Sequence, residues 1–144
     1  MSEPAGQLSH YVNDRFAIQQ LVFSYNHAID DRDEALFASL WVPGAGWHFP
    51  LDTASAGLGH LDGIDAIMES FRRSRRSGRQ THHVTSNLVV AVEGDRATGR
   101  SKAITSGRVR PSLAVYDDVY VRAEGGWKFQ LRQVTPHLHG VPTP

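Results

Sequence analysis

Apolar residues recur at Ile18, Leu21, Val22, Tyr25 and Ile29, the i, i+3, i+4, i+7, i+11 spacing of one buried helical stripe. The pattern predicts a helix from about Asp14, a residue type that caps helix starts. "DDRD" breaks the period. Asp33 is then placed to cap a second, short helix through "EALFASLW". "VPGAG" ends that helix, and "WHFPL" predicts a short strand. Residues 52–63 are glycine-rich and predict a loop. A third helix is expected from about Ile64, with Ile64, Ile67, Met68 and Phe71 at helical spacing and Gly78 as its stop.

Beyond Gly78 the period changes. Residues 80–92, 96–109, 113–123 and 126–135 are rich in Val, Thr, Tyr and Ile and predict four long strands. "EGDR" and "AEGG" are good hairpin loops between two of the pairs, and "VRPS" separates the middle pair. Three helices, a short strand and an antiparallel meander make an α+β domain with helices packed on one face of a curved sheet. One domain over 1–144 is expected, with a Pro-rich, extended tail "TPHLHGVPTP".

Composition narrows the function classes. Lys+Arg and Asp+Glu both number 15, so the chain lacks the basic excess of a nucleic-acid or membrane-surface binder. There are no cysteines, which excludes disulfides, thiolate nucleophiles and Cys-ligated metals. "MSEPAGQLSH" has neither a basic nor an apolar region of a signal peptide, and no apolar run reaches the length of a membrane span. A cytoplasmic protein is therefore expected. No Gly-rich phosphate loop and no G-x-S-x-G signature occurs. "RRSRRSGR" reads as a solvated helix end. "HLH" in the tail lacks a carboxylate partner in register, so no metal site is expected.

Two places could carry chemistry. In "THHVTSN" the adjacent His82 and His83 must point to opposite faces of a strand. Strict alternation puts His83, Thr85, Asn87, Val89 and Ala91 on one face and His82, Val84, Ser86, Leu88, Val90 and Val92 on the other. That pattern leaves open which histidine faces the interior. At the end of the first helix, Asp30 places a negative charge against the helix dipole. Such a charge is a solvated turn residue or has a function. Tyr25 lies on the buried stripe, as core or as a hydroxyl near a substrate.

"AIQQLVFSYNHAIDDRDEALFASLW", "THHVTSN" and "YDDVYVRAEGGWKFQLRQV", in this order and spacing, resemble the SnoaL-like proteins of the NTF2-like superfamily. Within it they most resemble the branch of scytalone dehydratase and lindane dehydrochlorinase. The resemblance covers roughly residues 14–135. It implies a cone-shaped α+β barrel, in which a strongly bent, mainly antiparallel sheet wraps the first helix and encloses a deep pocket. It implies that Asp30 and His83 meet in that pocket, with Asn87 on the same face and His82 pointing away. His83 would be the general base, oriented by Asp30. Tyr25 would assist as a hydrogen-bond donor. Trp47, His48 and Phe49 match a cavity-lining segment, and Asn87, Ser101, Asp118 and Arg132 are further candidates for substrate contact. Other members carry a second pocket histidine near the position of Ser101.

The expected function is a cofactor-independent lyase, isomerase or cyclase acting on a small hydrophobic compound of polyketide, aromatic, steroid or terpenoid type. A homo-oligomer, dimer or trimer, is also expected. The alternatives are a non-catalytic small-molecule-binding or protein-interaction module, and an epoxide hydrolase built on an Asp-Arg-Asp set involving Asp118 and Arg132.

Overall fold

The computed structural model describes residues 3–50, 59–78, 80–107 and 111–137. The order is α1 (Glu3–Asp30), α2 (Glu34–Ser39), β1 (Trp41–His48), β2 (His60–Asp62), α3 (Ile64–Arg76), β3 (His82–Glu93), β4 (Arg96–Ser106), β5 (Ser112–Ala123) and β6 (Gly126–Pro136). The strands form one curved, unclosed sheet in the order β2-β1-β6-β5-β4-β3. All neighbours are antiparallel except β1 and β6, which run parallel.

Helix α1 begins eleven residues before the predicted start. Asp14 is therefore mid-helix and caps nothing. Its carboxylate instead accepts bonds from Arg122 Nη1 and Nη2, both at 2.9 Å, and from Trp127 Nε1 at 3.0 Å. The hydrogen bond from Arg122 holds the Asp14 carboxyl below its ordinary pKa. The early turns escape a periodicity reading because they bury no stripe: Leu8, Val12 and Phe16 are 63%, 55% and 62% exposed. Only from Ile18 does the helix face the core, through Ile18, Leu21, Val22 and Tyr25. Each such buried side chain contributes about 1.5–3 kcal/mol.

Asp33 does cap α2, accepting from the Leu36 amide at 2.9 Å. Strand β1 is longer than "WHFPL" and includes the "VPGAG" that was expected only to end the second helix. Its pairing with β6 jumps between Trp41 and Gly46, so Pro43 and Gly44 sit in an irregularity of the strand. Pro and Gly are tolerated in strands at such breaks. Residues 60–62 of the expected loop form β2, whereas 51–58 lie outside the described residues. Helix α3 and the four long strands match their predicted spans within a few residues.

The core lies between α1 and the inner sheet face. Phe37 stacks on Phe71 with centroids 4.4 Å apart. Around Tyr25 stand Phe37, Trp41, Trp47, Tyr116 and Phe129, at 5.8–6.2 Å between ring centroids. Of the arginines ending α3, Arg72 and Arg75 pair with Glu34 and Arg76 with Glu69, which fits a solvated helix end. Arg79 and His139 lie outside the described residues.

Candidate functional site

Asp30 closes α1, and His83 is the second residue of β3. Asp30 Oδ1 lies 2.6 Å from His83 Nδ1. The other carboxylate oxygen accepts the His83 backbone amide at 2.8 Å, and Thr81 Oγ1 donates to Oδ1 at 3.4 Å. The Gln80 side chain also donates to the Asp30 carbonyl at 2.9 Å. A carboxylate at a helix C-terminus is locally unfavourable. Here donors from β3 and from the two residues before it offset that cost. With Asp30 on Nδ1, the imidazole is fixed as the tautomer carrying its proton there, which leaves Nε2 as the basic nitrogen. The two side chains keep 12% and 14% of their exposure, so the pair is shielded but reachable.

His83 is half-buried and His82 is exposed. Strict alternation fails four residues later. Ser86 pairs with Lys102 and Val89 with Arg100, three steps on β3 against two on β4. The extra residue is a β-bulge, and Asn87 within it has φ +56°. The bulge flips the faces: His83 and Thr85 point inward before it, and Leu88, Val90 and Val92 after it. Asn87 is therefore exposed and does not share the face of His83, contrary to the expectation. The mixed apolar pattern of "THHVTSNLVVAV" has the same cause.

The remaining candidates fall into a second cluster. Arg132 and Asp118 are wholly buried and form a two-pronged pair, Nε to Oδ1 at 2.9 Å and Nη2 to Oδ2 at 2.7 Å. Tyr120 Oη donates to Asp118 Oδ2 at 2.8 Å. The guanidinium carbon sits 4.1 Å from the centroids of Tyr25 and Tyr116 and 4.5 Å from that of Phe129. Burial opposes the Arg132 charge, but Asp118 outweighs it and raises the Arg132 pKa. Burial also pushes the Tyr25, Tyr116 and Tyr120 phenols above their ordinary range. These hydroxyls are therefore protonated donors, and none of them is a base at neutral pH. Burial is the main cause of the Tyr116 shift, and the negative charges of Asp118 and Asp30 add to it. Arg132 Nη1, Trp41 Nε1, Trp47 Nε1 and Ser101 Oγ are buried without a partner among the described residues.

Two cavities stand out among the described residues, and neither is lined by Asp30, His83, Tyr25, Trp47 or Phe49. The larger, about 690 Å³, is a groove over the outer sheet face, where Asn87, Val89, Arg100, Lys102, Leu131 and Gln133 contribute. The other, about 300 Å³, lies between α1 and β3. Tyr25 and Trp47, expected in a pocket wall, pack in the aromatic core at 2% and 7% exposure. Phe49 packs on Trp47 with centroids 5.0 Å apart. His48 alternates to the outer face, where Nε2 lies 2.7 Å from Asp62 Oδ1 and the ring stacks on His60. Sequence reasoning missed Trp41, Tyr116 and Tyr120, because a buried aromatic on a strand looks the same whether it packs or surrounds a charge. It also missed Asn26, one helical turn before Asp30.

No helix among the described residues is long and apolar enough to cross a membrane. No curated protein matches the chain closely enough to count as a relative by sequence. Solved structures share its fold. LinA is 26% identical, with 93% of this chain and 96% of that one covered and a TM-score of 0.73. Hexachlorocyclohexane dehydrochlorinase LinA-type3 from Novosphingobium barchaimii is 24% identical over 93% and 97% of the two chains, with a TM-score of 0.72. A protein provisionally assigned as scytalone dehydratase from Novosphingobium aromaticivorans is 20% identical over 94% of each chain, with a TM-score of 0.76. Some relatives of this fold thus carry the names of dehydratases or dehydrochlorinases, and others have no known function. The model of the SnoaL-like domain matches residues 10–133, and with the α+β cone of the NTF2-like fold around them, the chain belongs to the SnoaL-like family.

Proposed function

We propose that the protein is a cofactor-independent lyase or isomerase that abstracts a proton from carbon with the Asp30–His83 pair. The observation that carries this reading is the 2.6 Å contact between Asp30 Oδ1 and His83 Nδ1, in a pair that stays partly open. His83 Nε2 takes the proton. Asp30 holds the ring and stabilises the imidazolium that forms. In an elimination, the C–H electron pair becomes the new double bond, and the neighbouring carbon loses halide as the anion, or hydroxide that takes the proton back from the His83 imidazolium and departs as water. In an isomerisation or ring closure, the same carbanion is reprotonated elsewhere or attacks a carbonyl. The names of the similar structures, dehydrochlorinase and dehydratase, favour elimination.

The substrate class is a small hydrophobic compound, polyketide-like, aromatic, steroid or terpenoid. Tyr25, Trp47, Phe49, Ser101, Asp118 and Arg132 are kept as the residues that shape its site. Arg132 Nη1 and Trp47 Nε1 are donors without an acceptor among the described residues and suit an electronegative substrate atom. The protein acts in the cytoplasm as a homo-oligomer. Its subunit contact is the outer sheet face, where Val89 is 69% exposed beside the groove. The test is a panel of hydrophobic carbonyl, hydroxyl and halogenated compounds incubated in D2O. Product or deuterium incorporation with the unmodified chain, slowed at least ~100-fold in His83→Ala, is the expected result. Undiminished turnover in His83→Ala refutes the mechanism.

A second reading, a non-catalytic binding module, is favoured by the aromatic packing around Tyr25 and by the cavities lying away from the dyad. It expects ligand affinity that falls with Trp47→Ala and no turnover of any compound. For epoxide hydrolysis an Asp-Arg-Asp set is required. Arg132 has Asp118 as its one carboxylate partner among the described residues, so that chemistry has no such support.

A further inference from the structure

Asn26 is 7% exposed, an uncharged polar residue on the buried side of α1. Its Nδ2 donates to Thr85 Oγ1 at 2.9 Å, and Thr85 Oγ1 lies 3.3 Å from Asn26 Oδ1. Asn26 precedes Asp30 by four residues, one turn along the same helix face. Thr85 follows His83 by two residues, on the same face of β3. Four helical residues rise about 6 Å, and two strand residues span about 6.5 Å. The two spacings match. Helix and strand therefore run antiparallel and are joined by two rungs, Asn26–Thr85 and Asp30–His83.

We propose that Asn26 and Thr85 are positioning residues for the Asp30–His83 pair, an inference that rests on the catalytic reading of that pair. Strand β3 lies at the edge of the sheet, with β4 as its single neighbour. His83 is its second residue, and the bulge begins three residues later. The short stretch 82–86 is thus bounded by a strand end and by an interruption of the ladder. Without the second rung, the side-chain hydrogen bonds that tie this stretch and the two residues before it to α1 all converge on Asp30, from Gln80, Thr81 and His83. With two rungs its direction is set, and the imidazole plane with it. Among the described residues the ladder ends there: Val22, one turn before Asn26, carries no polar side-chain atom, and the bulge turns Asn87 outward. The second rung is what a site needs when its base must be held within a fraction of an ångström.

The test uses Asn26→Leu/Thr85→Val in the full chain. Replacing both partners with apolar groups of similar shape leaves no orphaned donor, so stability stays near that of the unmodified protein. The measurement is solvent exchange of the proton on His83 Nδ1, read by NMR of histidine-labelled protein. The unmodified chain and Thr85→Ser, which keeps the hydroxyl, are expected to protect this proton. The double variant is expected to exchange it at least ~10-fold faster, and with a substrate in hand to lose ~10-fold in kcat with KM within about twofold. Unchanged exchange in the double variant overturns the proposal. If the double variant does not fold, Thr85→Val alone is read the same way. NMR does not depend on turnover: a catalytically inert protein whose Nδ1 proton still responds to these changes would sink the enzyme reading and leave the positioning intact.

Discussion

The buried pair of Asp118 and Arg132 makes the sharpest energetic prediction. Both side chains are fully buried, and Asp118 accepts three hydrogen bonds, two from Arg132 and one from Tyr120. Asp118→Leu removes the counter-charge and leaves a buried guanidinium without its carboxylate partner. Rings of Tyr25, Tyr116 and Phe129 remain around it, but cation–π attraction contributes only about 2 kcal/mol even when desolvated. Breaking a buried ion pair from one side costs about 3–5 kcal/mol. Against a total stability of about 5–15 kcal/mol this is a large fraction. At about 2–4 °C per kcal/mol for a chain of this size, Tm should fall by roughly 6–20 °C. Asp118→Leu/Arg132→Met removes both charges and should recover most of the loss. The assay is a double-mutant cycle by urea unfolding, with the coupling energy as its readout. A cost under about 1 kcal/mol for Asp118→Leu, or a double variant no better than the single, refutes the reasoning. A stable double variant without turnover would assign the pair to substrate contact rather than to the core.

Three further outcomes can be checked. A Cβ at Gly99 would stand 2.7 Å from Tyr120 Oη and 2.8 Å from its Cε2, and Tyr120 is fully buried; Gly99→Ala should cost about 1–3 kcal/mol in urea unfolding, and a neutral variant contradicts the packing. Asp14 has its pKa lowered by Arg122, so its stabilisation is present above the unfolded carboxyl pKa of about 3.9 and is lost as pH falls through the lower folded value. Arg122 is 41% exposed, so Asp14→Asn should cost only about 0.5–1 kcal/mol near pH 7; the difference from the unmodified chain should vanish in melts near pH 2, and a penalty independent of pH refutes the linkage. Light scattering should find a dimer or trimer that Val89→Lys dissociates, whereas a monomeric unmodified chain removes the oligomer.

Much of the architecture was legible because burial imposes a period. The stripe from Ile18 to Ile29, the stripe of α3 and the four Val- and Tyr-rich strands each face one core, and each was found. The start of α1 was not, because Leu8, Val12 and Phe16 face solvent and bury no stripe. Strand β1 was shortened because Pro43 and Gly44 look like a turn, when they occupy an irregularity between two pairings with β6. Asp30 and His83 were identifiable from the family resemblance, since alternation alone left the two histidines equivalent. Asn87 was misplaced for one reason: a single extra residue in β3 reverses every later side chain, and alternation carries no sign of a bulge. Asn26 and Thr85 went unseen as a pair because their contact spans 59 residues.

The most direct test of the dyad is the turnover of His83→Ala, Asp30→Asn, their double variant and His82→Ala on one substrate. His83→Ala should lower kcat by roughly 10²–10⁴-fold, the usual contribution of a general base. Asp30→Asn should be severe as well, because an amide can hold the ring but cannot stabilise an imidazolium. The double variant should be little worse than His83→Ala alone, since the two residues act as one unit. His82→Ala should be nearly silent, because that side chain is exposed on the opposite strand face. Equal losses from both histidine variants, or full turnover in His83→Ala and Asp30→Asn, would contradict the Asp30–His83 mechanism.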